Sequence, residues 1–195
     1  KITAFSIKYG FLIVMGGSFL FFGLAQPAFW SWSNMFSILL GVTVYAILAM
    51  GITFTLVIDG LDLSVGSVAA MSVMIASYTM VVMDLGGVVA FIVCLLLGAL
   101  LGLVNGLLIV RIKIPDLLAT LGMMFLIQGL QLIPSGGRSI GTGMMLENGE
   151  EAEGMFSEGF LYLGQGRLFG LVPIPVIFMI VMAIIVYLIL DHTRW

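Results

Sequence analysis

Residues 88–110 read VVAFIVCLLLGALLGLVNGLLIV, and this stretch decides the fold class. It contains no Lys, Arg, Asp or Glu, and it shows none of the alternation of apolar and polar residues that marks a half-exposed strand. A helix rises about 1.5 Å per residue, so about 20 apolar residues cross the hydrocarbon layer of a bilayer. The stretch therefore predicts a membrane-spanning helix.

Similar uncharged segments lie on both sides of this stretch. Of the whole chain, 62% is hydrophobic and only 9% is charged, whereas about a quarter of a soluble domain is charged. The mean hydropathy is +1.26, so the bilayer must solvate most of the surface. We predict one all-α, polytopic membrane helix bundle over residues 1–195. Its six spans lie near residues 9–26, 35–57, 65–83, 88–110, 116–133 and 172–190.

The basic residues favour one orientation of these spans. With the N-terminus in the cytoplasm, five basic residues lie inside and two lie outside. The inner ones are Lys1, Lys8, Arg111, Lys113 and Arg194, and the outer ones are Arg138 and Arg167. Because cytoplasmic loops carry the excess of Lys and Arg, both ends of the chain are predicted to be cytoplasmic. The sequence has no basic run, so nucleic acid is not expected as a partner.

The long hydrophilic segment, residues 134–171, is predicted to be an external loop. It is rich in glycine and acidic residues, and its glutamates are Glu147, Glu150, Glu151, Glu153 and Glu158. Two interpretations stay open at this point. The loop is a solvated acidic segment, partly disordered, or it is a docking surface for an external partner.

A glycine stripe runs along the fourth predicted span. Gly98, Gly102 and Gly106 recur every four residues and so share one helix face. Small residues at this spacing let a second helix approach closely, which predicts helix packing. Asn105 lies beside the stripe, where its amide either bonds to another helix or lines a pathway.

The segment Gly51–Ser67, GITFTLVIDGLDLSVGS, carries two acids in an otherwise apolar region. Asp62 or Ser64 is predicted to cap the helix that begins near Val65. The segment is either a capped turn at the membrane face or a broken helix beside a translocation path.

Two amides follow in the fifth predicted span. Gln128 and Gln131 are three residues apart and therefore share a face. They are candidates for the wall of a pathway, and interhelical hydrogen bonding is the alternative.

Catalytic and cofactor motifs are absent from the sequence. There is no Ser/His/Asp set, HExxH or Walker A motif, and the single cysteine, Cys94, excludes a disulfide within the chain. We therefore expect no enzyme activity and no cofactor in this chain, and any ATP-driven work needs another subunit.

Several segments together resemble a known family. Residues 58–67, IDGLDLSVGS, are similar to a signature of bacterial ABC importer permeases of the ribose, xylose and galactose class, which are related to branched-chain amino acid permeases. Residues 98–110, 114–129 and 192–194 resemble further segments of that family in the same order. Asp62 matches the family aspartate, whereas Asp59 is an addition. Family members have about ten helices, so the resemblance is to their N-terminal part, without the helix that couples to the ATPase.

The resemblance implies a permease subunit in a bacterial inner membrane, surrounded by lipid. It implies a path for a small neutral solute, a monosaccharide such as ribose, and three kinds of partner: a second permease subunit, cytoplasmic ATPase subunits that hold ATP and Mg, and an external solute-binding protein. Asn105, Gln128 and Gln131 would line the path, with Asp62 and Ser64 forming a turn near it. An ion-coupled secondary transporter and a non-transporting scaffold are the alternatives.

Overall fold

A computed structural model describes residues 2–146, 149–168, 170 and 172–193, with side chains from Tyr9 onward. The chain divides into two compact units, residues 1–43 and 44–195. Its helices are α1 (Ile2–Ala25), α2 (Trp32–Val57), α3 (Val65–Ser77), α4 (Gly87–Gly106), α5 (Asp116–Leu130), α6 (Glu158–Gln165) and α7 (Ile174–His192). Two short antiparallel strands, β1 (Arg167–Leu168) and β2 (Val172–Pro173), precede α7.

Residues 1–43 form a unit around aromatic contacts. Pro27 opens a short 3₁₀ turn after α1, because its fixed φ suits the first position of a helical turn. This turn brings Phe29 back onto α1, where its ring meets that of Phe19 edge to face at 5.4 Å. The Trp30 indole N–H donates to the Gly23 carbonyl at 3.1 Å. Ser31 Oγ then accepts the Asn34 N–H and so caps α2.

In residues 44–195, α3 packs against both α4 and α5. The tightest part of this packing holds Ala76, Met80 and Ala90, which are 7%, 1% and 0% exposed. The side chain of Cys94 borders the same cluster, and its thiol donates to the Ser72 carbonyl at 3.3 Å. Small residues at the contact allow α3 and α4 to approach closely.

Wider helical turns end both α3 and α4. Residues Tyr78–Val82 and Leu107–Arg111 adopt the π conformation, in which the hydrogen bonds run from residue i+5 to residue i. With these turns, α3 and α4 extend as continuous helical segments over residues 65–82 and 87–111.

The segment 134–171, predicted to be an external loop, has secondary structure of its own. It holds α6 and β1, and an isolated bridge joins Met145 to Glu151. Residues 151–154 alternate between exposed and buried, because successive residues of an extended chain point to opposite sides. Ala152 and Gly154 face inward, and Phe160 of α6 packs against the cluster around Met80. Apolar contact with α3 and α4 thus orders a segment whose acidic composition suggested disorder.

Four helical segments of the described chain are long and apolar enough to cross a membrane: residues 32–57, 65–82, 87–111 and 174–192. Two further apolar segments within the same described residues are shorter: the Tyr9–Ala25 part of α1, and α5 (Asp116–Leu130). Large apolar side chains remain exposed on these helices, as bilayer solvent requires; Phe91 of α4, for example, is 56% exposed. The predicted all-α membrane class is confirmed.

Candidate functional site: a polar groove between α3 and α4

A groove of about 310 Å³ runs between the facing surfaces of α3 and α4 within residues 44–195. Its polar wall consists of Asp62, Ser64, Ser72 and Asn105. The remaining lining residues are small or aliphatic: Leu48, Val65, Val68, Ala69, Gly98 and Gly102. Residues from the α2–α3 connection and from α4, more than 40 positions apart in sequence, thus form one concave surface.

Three of these side chains form a hydrogen-bonded chain. Asn105 Nδ2 donates to Ser64 Oγ at 2.9 Å, and Ser64 Oγ donates in turn to Asp62 Oδ1 at 2.6 Å. Ser64 and Asn105 are only 1% and 6% exposed. Buried polar groups need partners, and a bond to an ionised carboxylate is stronger than one between neutral groups. These two hydrogen bonds therefore connect the α2–α3 connection to the C-terminal part of α4.

One atom of these three hydrogen-bonded side chains has no partner in the part of the protein that the structure describes. Asn105 Oδ1 is buried, and no described residue donates a hydrogen bond to it. The Asn105 side chain lies on the groove. An unsatisfied buried amide oxygen costs about 1–3 kcal/mol, so an acceptor of this kind in a native site calls for an explanation.

Of the two predicted caps of α3, Ser64 was wrong, whereas Asp62 accepts the N–H of Ser64, the residue directly before α3. Ser64 occupies the N-cap position, but its side chain bonds to none of the first N–H groups of α3. Its backbone is already helical, with φ −81° and ψ −13°, rather than in the extended form of most N-cap residues. Its hydroxyl is engaged by Asp62 and Asn105, and Asp62 Oδ1 accepts the Ser64 N–H at 2.8 Å.

The start of α5 anchors the other side of the α2–α3 connection. The Asp116 carboxylate accepts the Leu61 N–H, and the Thr120 hydroxyl lies 3.3 Å from the Leu61 carbonyl oxygen. Thr120 is 1% exposed and also donates to the Asp116 carbonyl at 2.8 Å. Asp116 lies in the first turn of α5, and sequence reasoning missed its contact with Leu61. The spacing of four residues between Asp116 and Thr120 indicated a shared face, but it did not reveal the connection that this face holds.

We expect Asp116→Ala to release the α2–α3 connection. The variant removes the acceptor of the Leu61 N–H, and solvent water competes for that N–H once the bond is lost. Hydrogen exchange at the Leu61 amide should accelerate about tenfold or more, while amides in the middle of α4 keep their rates. Asp116→Asn is the matched control, because its amide oxygen can still accept the bond. Equal exchange rates in the wild type and Asp116→Ala would show that the contact does not hold the connection.

The glycine stripe is arranged differently from a closely packed helix contact. Gly98 and Gly102 line the groove, and a Cβ added at either position would meet no described atom within 4 Å. The same open space surrounds Gly106. The stripe therefore keeps a surface open in this chain, and its predicted packing against another helix remains a prediction.

The other predicted site residues lie outside the groove. Gln128 is exposed on α5, and Gln131 is half-buried at the C-terminal end of that helix. Neither lines the groove, and their role in a path stays a prediction. The glutamates of the predicted docking loop, Glu150, Glu151, Glu153 and Glu158, are all exposed, whereas Glu147 lies outside the described residues. Among the described residues, no group of three or more His, Cys, Asp or Glu side chains could hold a metal ion.

Comparison with known proteins assigns the chain to a family. Residues 34–195 match the family described as branched-chain amino acid transport system/permease component. The chain belongs to this family of permease components. The match covers every element that forms the groove, and together with the apolar helices it makes the chain a multi-pass membrane protein.

Several relatives of this chain have names that describe sugar permeases. The ribose import permease protein RbsC of Escherichia coli (strain K12) is 34% identical over 169 residues, which cover 87% of this chain and 49% of that protein. The RbsC protein of Haemophilus influenzae is 36% identical, covering 86% and 49%. The D-allose transport system permease protein AlsC of Escherichia coli (strain K12) is 27% identical, covering 96% and 53%. The chain thus spans about half the length of these relatives. No solved structure matches it significantly.

Proposed function

We propose that this chain is part of the permease subunit of an ATP-driven importer for a monosaccharide. The observation that carries the proposal is the family membership together with relatives whose names specify ribose, L-arabinose and D-allose. The permease performs no covalent chemistry; it provides the path. ATP and Mg would be held by separate cytoplasmic ATPase subunits, and a second permease subunit and an external solute-binding protein would complete the assembly.

The charge distribution supports a neutral cargo. No Lys, Arg, Asp or Glu lies within the apolar part of the described spans, residues 35–57, 65–82, 88–110 and 174–190. Ion-coupled transporters place ionisable residues inside the membrane, where they bind the coupling ion or relay protons. A neutral, hydroxylated solute needs hydrogen-bonding groups instead, and Asp62 and Asn105 in the lining of the groove are such groups.

The groove lies on the side of the spans where the cytoplasmic face is proposed. Asn105 precedes Arg111 and Lys113 by six and eight residues, and these two basic residues favour the cytoplasmic side. Both ends of the chain would then be cytoplasmic, and residues 134–171 would be external. The exposed glutamates Glu151, Glu153 and Glu158, held on an ordered backbone, would face the external binding protein.

The decisive test is the ATPase activity of proteoliposomes that contain the full-length permease, its ATPase and its binding protein. D-ribose, D-allose and L-arabinose are added separately. Stimulation by one sugar only in the presence of the binding protein supports the importer and identifies its cargo. Import driven by an ion gradient without ATP would favour a secondary transporter. An assembly without any transport would favour a scaffold.

A further inference from the structure

We infer that the groove between α3 and α4 is a binding subsite for a hydroxyl group of the cargo, with Asn105 and Asp62 as the acceptors. This inference rests on the proposed function and deepens it. Asn105 is only 6% exposed, it lines the groove, and its Oδ1 has no donor among the described residues. A hydroxylated solute that enters the groove supplies the missing donor.

The orientation of the Asn105 amide follows from its neighbours. Ser64 Oγ donates its proton to the Asp62 carboxylate, so it can only accept from Asn105. Asn105 must therefore present Nδ2 to Ser64, which leaves the oxygen as the unpaired atom. The terminal torsion of an asparagine is soft, so a small tilt of the amide brings the oxygen toward an arriving donor while Nδ2 keeps its bond to Ser64.

Asp62 provides a second acceptor on the same surface. Both of its hydrogen bonds from Ser64 end on Oδ1, and no described residue donates to Oδ2. Vicinal hydroxyls of a sugar are paired donors at fixed spacing, which suits two acceptors on one wall. The aliphatic wall formed by Val65, Val68 and Leu48 suits the C–H surface of the same ring.

The size of the groove also fits a small solute. Its volume of about 310 Å³ lies at the lower end of the range of roughly 300–1,000 Å³ typical of small-molecule sites. Gly98 and Gly102 keep this volume open, because any side chain at these positions would extend into the groove. The absence of side chains at Gly98 and Gly102 thus keeps the groove open, which is a role other than helix packing.

Sugar uptake by the reconstituted full-length complex tests the subsite. Radiolabelled D-ribose, D-allose and L-arabinose are the probes, and the variants are Asn105→Leu, which removes the acceptor, and Gly102→Leu, which fills the groove. We expect both variants to assemble with the ATPase and to lower uptake of the transported sugar about tenfold or more, since a site built around a hydroxyl depends on that bond. Ser77→Ala is the matched control, because Ser77 lies outside the groove and its hydroxyl bonds within its own helix.

Accessibility of the groove gives a second readout. Gly98→Cys, in a Cys94→Ala background, should react with a hydrophilic methanethiosulfonate reagent, and the transported sugar at saturating concentration should slow that reaction. Protection supports the subsite.

Three results would overturn the assignment, and they differ from failure of the proposed function. Full uptake by Asn105→Leu and Gly102→Leu, or labelling unaffected by the sugar, removes the subsite while the importer stands. Loss of assembly in Gly102→Leu shows that a helix of the permease fills the groove instead. A wild-type complex that imports none of a wider panel of pentoses and hexoses contradicts the proposed function itself.

Discussion

Gly154→Ala is expected to lower the unfolding free energy by about 1–3 kcal/mol, because the added methyl group overpacks a rigid contact. A Cβ at this position would lie 2.5 Å from the Val81 carbonyl oxygen and closer still to that of Met80. Both obstacles are backbone atoms at the π-helical end of α3, and Met80 and Val81 are 1% and 0% exposed. Neither can move without shifting the helix, so the extended segment 151–154 must lift away.

Thermal unfolding in detergent measures this effect. Gly141→Ala is the matched control, because Gly141 lies in the same connecting segment, has no positive φ, and a Cβ there would meet nothing within 4 Å. Protease cleavage between residues 149 and 157 should also become faster in Gly154→Ala alone. If the two variants unfold at the same temperature, the segment does not pack on α3 in the way described.

Ser64→Ala is expected to destabilise the chain by about 2 kcal/mol, whereas Asn105→Leu should cost less than about 1 kcal/mol. Removing the Ser64 hydroxyl deprives the buried Asn105 amide of its remaining partner and takes a donor from Asp62. An orphaned buried group costs about 1–3 kcal/mol. Asn105→Leu instead replaces an amide that is already half unsatisfied with an apolar group of similar size, and the bond from Ser64 to Asp62 remains.

The order of the two stabilities is the informative quantity. Thermal unfolding of the wild type, Ser64→Ala, Asn105→Leu and the double variant gives the coupling between the two positions. Ser77→Ala, which removes a hydroxyl bonded to the Val73 carbonyl within its own helix, should stay close to the wild type. An Asn105→Leu protein less stable than Ser64→Ala would mean that Asn105 Oδ1 has a partner, and the groove would then offer no unpaired Asn105 acceptor to a hydroxyl group.

The helices were predictable because their cause is local. A run such as residues 88–110 has no charge and exceeds the thickness of the hydrocarbon layer, and in lipid every backbone polar group must be paired within the segment. A helix is the solution that needs no other part of the chain. The end of the second predicted span at Val57 and the start of the third at Val65 follow in the same way from the two acids and two glycines between Ile58 and Gly66.

The α2–α3 connection shows the limit of this reasoning. Asp62 and Ser64 were recognisable as a polar interruption, and Asn105 as an amide in an apolar helix, but each had several possible partners. Their hydrogen-bonded chain arises because α4 packs beside α3 and brings residue 105 against residue 64. Short-range patterns favoured a Ser64 cap, whereas the Ser64 hydroxyl bonds to Asp62 and to Asn105, 41 positions away.

The segment 134–171 illustrates the same limit. Its glycine and glutamate content predicted solvation, and its glutamates in the described residues are indeed exposed. The alternate burial of Ala152 and Gly154 depends on a surface that α3 and α4 provide, so composition alone could not reveal it.

Apolar length was sufficient for the membrane class, since it depends on transfer of local segments between water and lipid. Residues 58–67 were also sufficient to indicate the family, and this resemblance agrees with the family match over residues 34–195. The groove, the unpaired oxygen of Asn105 and the open face beside Gly98 and Gly102 came only from the packed helices. Which polar groups meet inside a membrane protein depends on how its helices pack. An amide or hydroxyl in lipid forms a hydrogen bond with whichever polar group the packing places within reach.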